Sequence, residues 1–310
     1  MTTTMTKRKT PSQRVLLVGL LLLGYPASPV AAEDYSVTPE GSPYSIAEAM
    51  DRAGPGDTVT LSDGVYTEPI VTTQDGEEDN PITIKGGTGA IVSGEYDDKV
   101  VTVRHSWVSL EGFTVDGEKS SDDSRDSYVD KCVYVWGRED PKGVSFSGGE
   151  ALASIIGFSM KGLTVQNCGG ECVRLRHFVT NSFVKDNVIS NCGVYDYQYG
   201  NGGKNGEAVY VGTSSKQWTD GPDLTANNVV SGNKMTPKGN ECVDIKEGAY
   251  GNIVERNECR EQMDENSGCF SSRGDDNIFR YNTGENCEGA GIRLGGWEAD
   301  GNVYGQHCDV

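Results

Sequence analysis

The chain has 310 residues, and its 46 acidic side chains outnumber its 27 basic ones to give a formal net charge of −19. That charge argues against nucleic acid as a partner, because nucleic-acid binding depends on basic side chains that neutralise phosphates. Long amphipathic helical patterns are scarce, which argues against an all-helical fold.

The first 32 residues have the layout of a secretory signal peptide. A basic segment is followed by the apolar run "VLLVGLLLLG" at 15–24 and then by small residues. The run has about half of the roughly 20 residues that a membrane span needs, and no other stretch is long enough. We therefore expect cleavage after Ala32, a secreted, extracellular protein and a single domain over 33–310. An anchored N-terminal helix is the alternative.

The segment "SPYSIAEAMDRAGPGD" predicts a short helix over about 44–53. Ile46, Ala47, Met50 and Ala53 share one face of that helix, and the following Gly-Pro-Gly ends it. From about residue 57 the chain consists of short strand patterns separated by Gly, Asn and Asp.

Six of these strand patterns resemble one another. They are "CVYVWG" (132–137), "CVRLRH" (172–177), "AVYVGT" (208–213), "CVDIKEG" (242–248), "CFSSRG" (269–274) and "GIRLGG" (291–296). Similar strands at loosely periodic spacing indicate a solenoid, in which each strand pairs with its equivalent one coil later. The predicted fold is all-β: a single-domain right-handed parallel β-helix whose N-terminal end is capped by the short helix. A propeller or sandwich would instead require antiparallel hairpins.

Alternation along each strand assigns its residues to faces. The pairs Val133/Val135, Val173/Leu175, Val209/Val211, Val243/Ile245, Phe270/Ser272 and Ile292/Leu294 should face the core. Three outward columns remain. The first is Cys132, Cys172, Ala208, Cys242, Cys269, Gly291; the second is Tyr134, Arg174, Tyr210, Asp244, Ser271, Arg293; the third is Trp136, Arg176, Gly212, Lys246, Arg273, Gly295.

Nine cysteines in a secreted chain predict disulfides with one thiol left over. Stacked strands lie about 4.8 Å apart, within the Cα separation that a disulfide spans. Neighbours in one column should therefore bond, as Cys132–Cys172, Cys242–Cys269, Cys168–Cys192 and Cys259–Cys287, with Cys308 unpaired. A zinc site is disfavoured, since "CGGEC" at 168–172 has no second ligand pair.

Five cations lie on the two outer columns: Arg174, Arg176, Lys246, Arg273 and Arg293. Salt bridging on a solvated face would explain them. A groove that binds an acidic sugar polymer would explain them as well, with Tyr134, Tyr210, Trp136 and Trp297 stacking on sugar rings.

Three segments resemble successive coils of polysaccharide lyase family six, which includes chondroitinase B and alginate lyases. They are "NGEAVYVGTS" (205–214), "ECVDIKEGAYGNIVERN" (241–257) and "SGCFSSRGDDNIFRYN" (267–282). Segments 45–70 and 80–94 also look like the start of such lyases. The resemblance implies β-elimination at a uronic acid, in which calcium neutralises the sugar carboxylate, a lysine takes the proton and an arginine assists.

The resemblance can be carried over residue by residue. Arg273 stands at the family's arginine, Glu207 lies in its "NGE" context with Asn205, and Asp244 takes the place of the second acid of a Glu-x-Glu pair. Three positions depart from the pattern. Cys242 replaces the first acid, with Glu241 one residue earlier, and Ala249 aligns with the family's lysine. Tyr210 stands at the arginine of the family's "IRIG" strand.

The predicted site follows from these matches and from the columns. We expect Lys246, the nearest lysine, and Arg273 to be catalytic. Arg174, Arg176, Tyr210 and Arg293 should bind substrate, and Asn205, Glu207, Glu241 and Asp244 should hold calcium. The expected partner is an acidic polysaccharide, neither nucleic acid nor a membrane, and the chain is expected to be a monomer.

Three alternatives stay open at this point. The chain is a non-catalytic cell-wall or polysaccharide-binding protein, a C5-epimerase, or a glycoside hydrolase on the same fold. A hydrolase needs two carboxylates facing one groove. Asp275 and Asp276 are the candidates, but they look like turn formers, and the columns contain no second row of acids.

Overall fold

The structure, a computed structural model, describes residues 31–41, 43–94, 99–137, 154–200, 205–218 and 221–310. Most of the predicted signal peptide, residues 1–30, lies outside these ranges. Residues 32–310 form one unit. Within the described residues no helix is long and apolar enough to cross a membrane.

The described chain is built mainly from short strands. In chain order they are β1 (Asp34–Val37), β2 (Thr58–Leu61), β3 (Gly64–Tyr66), β4 (Ile70–Val71), β5 (Ile82–Gly86), β6 (Ala90–Val92), β7 (Lys99–Val103), β8 (Val108–Glu111), β9 (Thr114–Asp116), β10 (Lys131–Trp136), β11 (Ile155–Ile156), β12 (Ser159–Lys161), β13 (Thr164–Cys168), β14 (Val173–Arg176), β15 (Val179–Thr180), β16 (Phe183–Lys185), β17 (Val188–Cys192), β18 (Val209–Val211), β19 (Val229–Ser231), β20 (Lys234–Thr236), β21 (Val243–Ile245), β22 (Ile253–Glu255), β23 (Glu258–Arg260), β24 (Gly268–Ser272), β25 (Ile278–Arg280), β26 (Thr283–Glu285), β27 (Ala290–Leu294), β28 (Trp297–Ala299) and β29 (Asn302–Tyr304).

Three parallel sheets run the length of the molecule. Sheet I has the order β1-β2-β5-β8-β12-β16-β19-β22-β25, sheet II is β3-β6-β9-β13-β17-β20-β23-β26, and sheet III is β4-β7-β10-β14-β18-β21-β24-β27. From β2 to β27 the chain visits sheets I, II and III in turn, so each set of three strands is one coil; β11 and β15 form an additional two-stranded parallel sheet between strands of sheets III and I in chain order. This is a parallel β-helix, as predicted, and right-handed crossovers are the rule for parallel strands. Among the described strands, only β28 and β29 pair in antiparallel fashion.

The register of sheet III confirms one predicted core column and the second outward column, whereas the cysteines of the first outward column are buried. Val133, Val173, Val209, Val243, Phe270 and Ile292 are successive partners. The neighbouring column reads Tyr134, Arg174, Tyr210, Asp244, Ser271 and Arg293 through the same pairings. One core prediction is wrong: Leu294, on the last strand of sheet III, is 39% exposed, since no further coil stacks on β27 among the described strands.

Asparagine side chains form two ladders at the corners of the coil. Asn187, Asn233, Asn257 and Asn282 form one, between sheets I and II. Asn228, Asn252 and Asn277 form the other, ahead of the sheet I strands. After the first member of each ladder, the amide oxygen accepts bonds from the backbone and the side chain of the asparagine in the preceding coil. The first members, Asn187 and Asn228, accept from the backbone of Leu163 and Ser182. Buried corner backbone groups are thereby satisfied, which explains why asparagine recurs in the sequence.

The predicted N-terminal helix is present as α1 (Ile46–Arg52). Ser45 and Glu48 form a capping box at its start. The helix packs against β1 and β4, the end strands of sheets I and III. Its buried face contains Ala49 in place of the expected Ala47, which is exposed. A second helix, α2 (Val194–Tyr197), and two 3-10 turns at Arg125–Ser127 and Ser215–Gln217 lie in the loops.

The predicted disulfide pairing is wrong. The bonds are Cys132–Cys168, Cys172–Cys192, Cys242–Cys259 and Cys269–Cys287. Each joins the sheet III side of one coil to the sheet II side of the next. Cys168 and Cys192 are indeed register partners, so the distance criterion is met. The sheet III cysteines, however, lie at the strand entrance with the sulfur turned inward, at 0–1% exposure. Cys308 is free, as predicted.

Candidate functional site

A cavity of about 820 Å³, called here the first cavity, lies on the outer face of sheet III. Six of its lining residues carry the argument: Lys131, Glu171, Arg174, Glu207, Tyr210 and Lys246. They come from β10, from β14, β18 and β21, and from the residues next to these strands. The predicted groove is therefore present, and Lys246 faces it, not the core.

Three carboxylates meet beside this cavity and form the acid cluster: Glu207, Glu241 and Asp244. One oxygen of each lies within 4.8 Å of the others. The three residues are 2%, 5% and 2% exposed. Burial is the main cause that raises the pKa of Glu207 to about 8, against the opposing charge of Lys246. Burial, followed by the charge of Asp244, raises the pKa of Glu241 to about 7.

The acid cluster fits a calcium ion. Its donors are all carboxylate oxygens, the ligands that this hard cation prefers. Oδ1 of Asp244 is buried, and the described residues offer it no hydrogen-bond partner. A buried acceptor without a partner is unfavourable unless something binds it. Three of the four predicted ligands are thus brought together. The fourth, Asn205, is exposed and lines the first cavity, and its backbone N–H donates to Asp196.

Lys246 follows β21 and reaches back over the acid cluster. Its ammonium group pairs with Asp244 and lies 3.7 Å from Glu207. It also lies 4.4 Å from the centre of the Tyr210 ring. Burial alone would lower the pKa of Lys246, but Asp244 and Glu207 outweigh it and hold the pKa above its usual range. In this charge state the lysine is an ion-pair partner rather than a base.

Arg273 lies one coil further along, next to the same carboxylates. Its Nη2 is 4.0 Å from Oδ2 of Asp244, and its Nε is 3.0 Å from Oε1 of Glu247. The guanidinium carbon lies 5.0 Å from the centre of the Trp297 ring. Arg273 is therefore adjacent to the acid cluster, on the side away from β10.

The upstream triad, Lys131, Glu171 and Arg174, occupies the other half of the first cavity. Lys131 pairs with Glu171 and Asp130. Nη1 of Arg174 lies 3.2 Å from Glu171, and its guanidinium lies 4.5 Å from the centre of the Tyr210 ring. Burial alone would raise the pKa of Glu171, but Lys131 and Arg174 outweigh it and hold the pKa below its usual range.

The other two predicted substrate-binding residues occupy different places. Arg176 lines the first cavity, and its Nε donates to Oγ1 of Thr213 at 3.1 Å. Arg293 is exposed on β27, in register with Ser271, and does not line the first cavity. The groove residues thus include Arg174, Arg176 and Tyr210, but the structure does not bring Arg293 to the acid cluster.

Glu171, Glu207 and Glu241 form a row of acids that the alternation analysis missed. Each stands two residues ahead of a core valine, in "ECV", "EAV" and "ECV". Their strand entrances stack, since the N–H of Cys172 donates to the carbonyl of Glu207 and that of Ala208 to the carbonyl of Glu241. The expectation that no second row of acids exists is wrong. Alternation holds within a strand but not at the turn that leads into it.

The hydrolase candidates Asp275 and Asp276 lie away from the groove, in the turn between β24 and β25. Asp276 has a positive φ of 54°, and Oδ1 of Asp275 accepts from the backbone of Gln306. Both act as turn residues, in line with the sequence analysis.

No protein-family model matches the chain, and no curated protein matches it either. Among solved structures, an alginate lyase from Paenibacillus sp. str. FPU-7 is similar, with a TM-score of 0.63, 21% identity and coverage of 81% of this chain and 76% of that one. Pectate lyase Pel9A has a TM-score of 0.56 and 12% identity, over 81% of this chain and 63% of that one.

The solved structure of a hydrolase is also similar to this chain. The catalytic unit of a GH87 α-1,3-glucanase from Streptomyces thermodiastaticus strain HF3-3 has a TM-score of 0.52 and 17% identity, over 83% of this chain and 42% of that one. Likeness at these identities concerns the fold, which by itself does not decide the chemistry. At that level the predicted fold is confirmed: the chain has a parallel β-helix, and the alginate lyase and the pectate lyase named above are similar to it in fold.

Proposed function

We propose that this protein is a secreted polysaccharide lyase that cleaves a uronic-acid polymer by β-elimination. The observation that carries the proposal is the position of Lys246, a lysine in a groove, between the acid cluster and the ring of Tyr210. Elimination needs a base, a group that neutralises the sugar carboxylate and a proton donor for the leaving oxygen. The groove supplies a candidate for each.

Each residue has a role that follows from its charge and place. Lys246 would act after its ion pair with Asp244 is broken and its own proton is lost. It would then take the proton next to the sugar carboxylate, and Arg273 would stabilise the negative charge that develops there. Burial is the main cause that raises the pKa of Tyr210 far above its usual range, so its hydroxyl stays protonated. Tyr210 would therefore donate its proton to the leaving glycosidic oxygen.

A calcium ion held by Glu207, Glu241 and Asp244 would neutralise the sugar carboxylate, acidify the neighbouring C–H and compete with Lys246 for Asp244. The support for calcium is the partnerless buried Oδ1 of Asp244 and the all-oxygen donor set. Secretion is supported by the four disulfides, which form and persist in oxidising compartments.

The test is an activity screen on alginate, pectate and chondroitin, with and without calcium, that follows the absorbance of the unsaturated uronate. We expect product from one of these polymers and a loss of activity with a chelator. Arg273→Ala should nearly silence an active preparation while its melting temperature stays close to that of the wild type. Full activity of Arg273→Ala would remove this site assignment. Binding without any unsaturated product would favour the non-catalytic alternative.

A glycoside hydrolase is the second candidate, because Glu207 lines the first cavity and its pKa is raised to about 8, as a general acid requires. The carboxylate spacing disfavours it. Oxygens of Glu207 and Asp244 lie within 4.8 Å, closer than the roughly 5–10 Å carboxyl separations of glycosidases. New reducing ends without the uronate absorbance would decide for the hydrolase.

A further inference from the structure

A second cavity, of about 590 Å³, lies on sheet III on the N-terminal side of the first. Its lining residues are Val71, Thr72, Thr73, Lys99, Thr102, Arg104 and His105. Lys99 also lines the first cavity, so the two are neighbours on one face. We propose that the second cavity is a distal subsite that binds a carboxylate-bearing sugar of the same acidic polymer, several units away from Lys246. This inference rests on the proposed function for the class of polymer.

The register shows that the two cavities belong to one groove. Thr102 pairs with Tyr134, and the same column continues through Arg174 and Tyr210 to Asp244. Four strand steps separate Thr102 from Asp244, which is roughly 19 Å at about 4.8 Å per step. Because a sugar ring is about as long as one strand spacing, this distance accommodates a short run of sugars.

The charges of the second cavity suit an anion. No carboxylate is among its lining residues. Within the described chain, neither Lys99 nor Arg104 has an ion-pair partner, whereas Lys131 and Arg174 are tied to Glu171. A guanidinium and an ammonium with no acid partner among the described residues can bind the carboxylates of a ligand.

Aromatic rings hold these two cations at the junction of the cavities. The guanidinium of Arg104 lies 5.1 Å from the centre of the Trp136 ring, and Lys99 lies 5.4 Å from that of Tyr134. Such contacts restrict flexible side chains without neutralising them. Both cations are therefore ordered before the ligand arrives, which reduces the entropy lost on binding.

On the other side of Lys246, towards β24 and β27, the groove does not extend equally far. No residue of β24 or β27 lines the first cavity. Beyond Lys246, the indole N–H of Trp297 donates to Oγ of Ser215, and the backbone N–H of Ser215 donates to Glu247. This contact joins the loop after β18 to the segment after β27. A polymer placed at Lys246 therefore extends towards β7, where the second cavity lies.

The test measures binding by titration calorimetry of galacturonate and mannuronate oligomers of two to six units. Wild-type affinity should rise with length up to about the span of the groove. The double variant Lys99→Gln/Arg104→Gln should weaken binding of the longest oligomers by about tenfold, as expected for lost charge-assisted hydrogen bonds. Its affinity for the dimer should fall far less, because Arg104 does not line the first cavity. The glutamine side chains keep the packing on Tyr134 and Trp136.

Lys161→Gln/Lys185→Gln is the matched control, because it removes two exposed cations from sheet I. An equal loss in the control would attribute the effect to net charge and overturn the subsite. An equal loss for the dimer, or affinity that does not rise with length, would overturn it too. If long oligomers bind in this way but no unsaturated product forms, the proposed lyase function fails and the subsite stands. If product forms but the double variant binds long oligomers normally, only the subsite fails.

Discussion

The two halves of the first cavity are built from equivalent positions but have opposite charge balance. In the upstream triad, two cations surround Glu171, whose pKa lies below its usual range. In the acid cluster, three carboxylates share Lys246, and the pKa of Glu207 is raised to about 8. The same strand entrance thus gives a neutralised ion-pair group in one coil and an excess of negative charge two coils later. The first holds Arg174 in place, and the second has capacity for a cation.

The largest expected effect is on activity, from Lys246→Arg. Arginine keeps the positive charge over the acid cluster but does not lose its proton near neutral pH. If Lys246 is the base, the catalytic rate should fall by about 10²–10⁴ while the protein stays folded. The measurement is the initial rate of unsaturated-uronate formation, with the melting temperature as the folding control. Substantial activity in Lys246→Arg would show that the lysine acts only through its charge.

The next effect is on stability, from Glu171→Gln compared with Glu207→Gln. Removing Glu171 leaves the buried Arg174 without its carboxylate partner and Lys131 with Asp130 alone, which should cost about 3–5 kcal/mol. Since the pKa of Glu207 is raised to about 8, this carboxyl is mostly protonated at pH 7 in the metal-free protein, so glutamine replaces a neutral group and stability should stay level. Denaturant unfolding of both variants with a chelator measures the difference. Similar losses in both variants would contradict the contrast between the halves.

The smallest effect is the pH dependence of the metal-free protein. The pKa values of Glu207 and Glu241, about 8 and about 7, lie above the ordinary value near 4.3. The folded state therefore binds more protons than the unfolded state between roughly pH 4 and 8, and these groups lower stability as pH rises through that window. The upstream triad acts oppositely: the lowered pKa of Glu171 contributes stability that is lost as pH falls.

Melting temperatures from pH 5 to 8.5, with chelator or with calcium, measure how these opposing groups change the stability with pH. Calcium should raise the melting temperature more at pH 8 than at pH 5, since the cluster must be ionised to bind it. The double variant Glu207→Gln/Glu241→Gln is the control and should respond weakly to both pH and calcium. An equal calcium response in that variant would place the ion elsewhere.

Much of the fold could be predicted, because a parallel solenoid repeats one local rule. Alternation around Val133, Val173, Val209 and Val243 gave the register of sheet III from the sequence. Recurrent corner asparagines indicated the solenoid, although the amide ladders themselves appear only when the coils stack.

The site was predicted less completely, because its key side chains lie where alternation ends. At the entrance to each sheet III strand the backbone turns, so Cys172 faces inward and Glu171 faces the groove. That one change of direction accounts for both the wrong disulfides and the missed row of acids. The ion pairs could not be predicted from the sequence either, because the contact between Lys131 and Glu171 depends on stacking of two coils.

Among the coils that carry disulfides, one junction has no covalent tie. The bonds that start at Cys132 and Cys172 connect successive coils as far as Cys192, and the next series begins only at Cys242. Ala208 stands where the neighbouring coils have cysteine. Glu207 lies on one side of this seam, and Glu241 and Asp244 lie on the other. Each coil of a solenoid contacts only its neighbours, so a divalent ion bound here would link the two coils that no disulfide joins. Loss of the ion would let the two halves of the solenoid separate at the site itself.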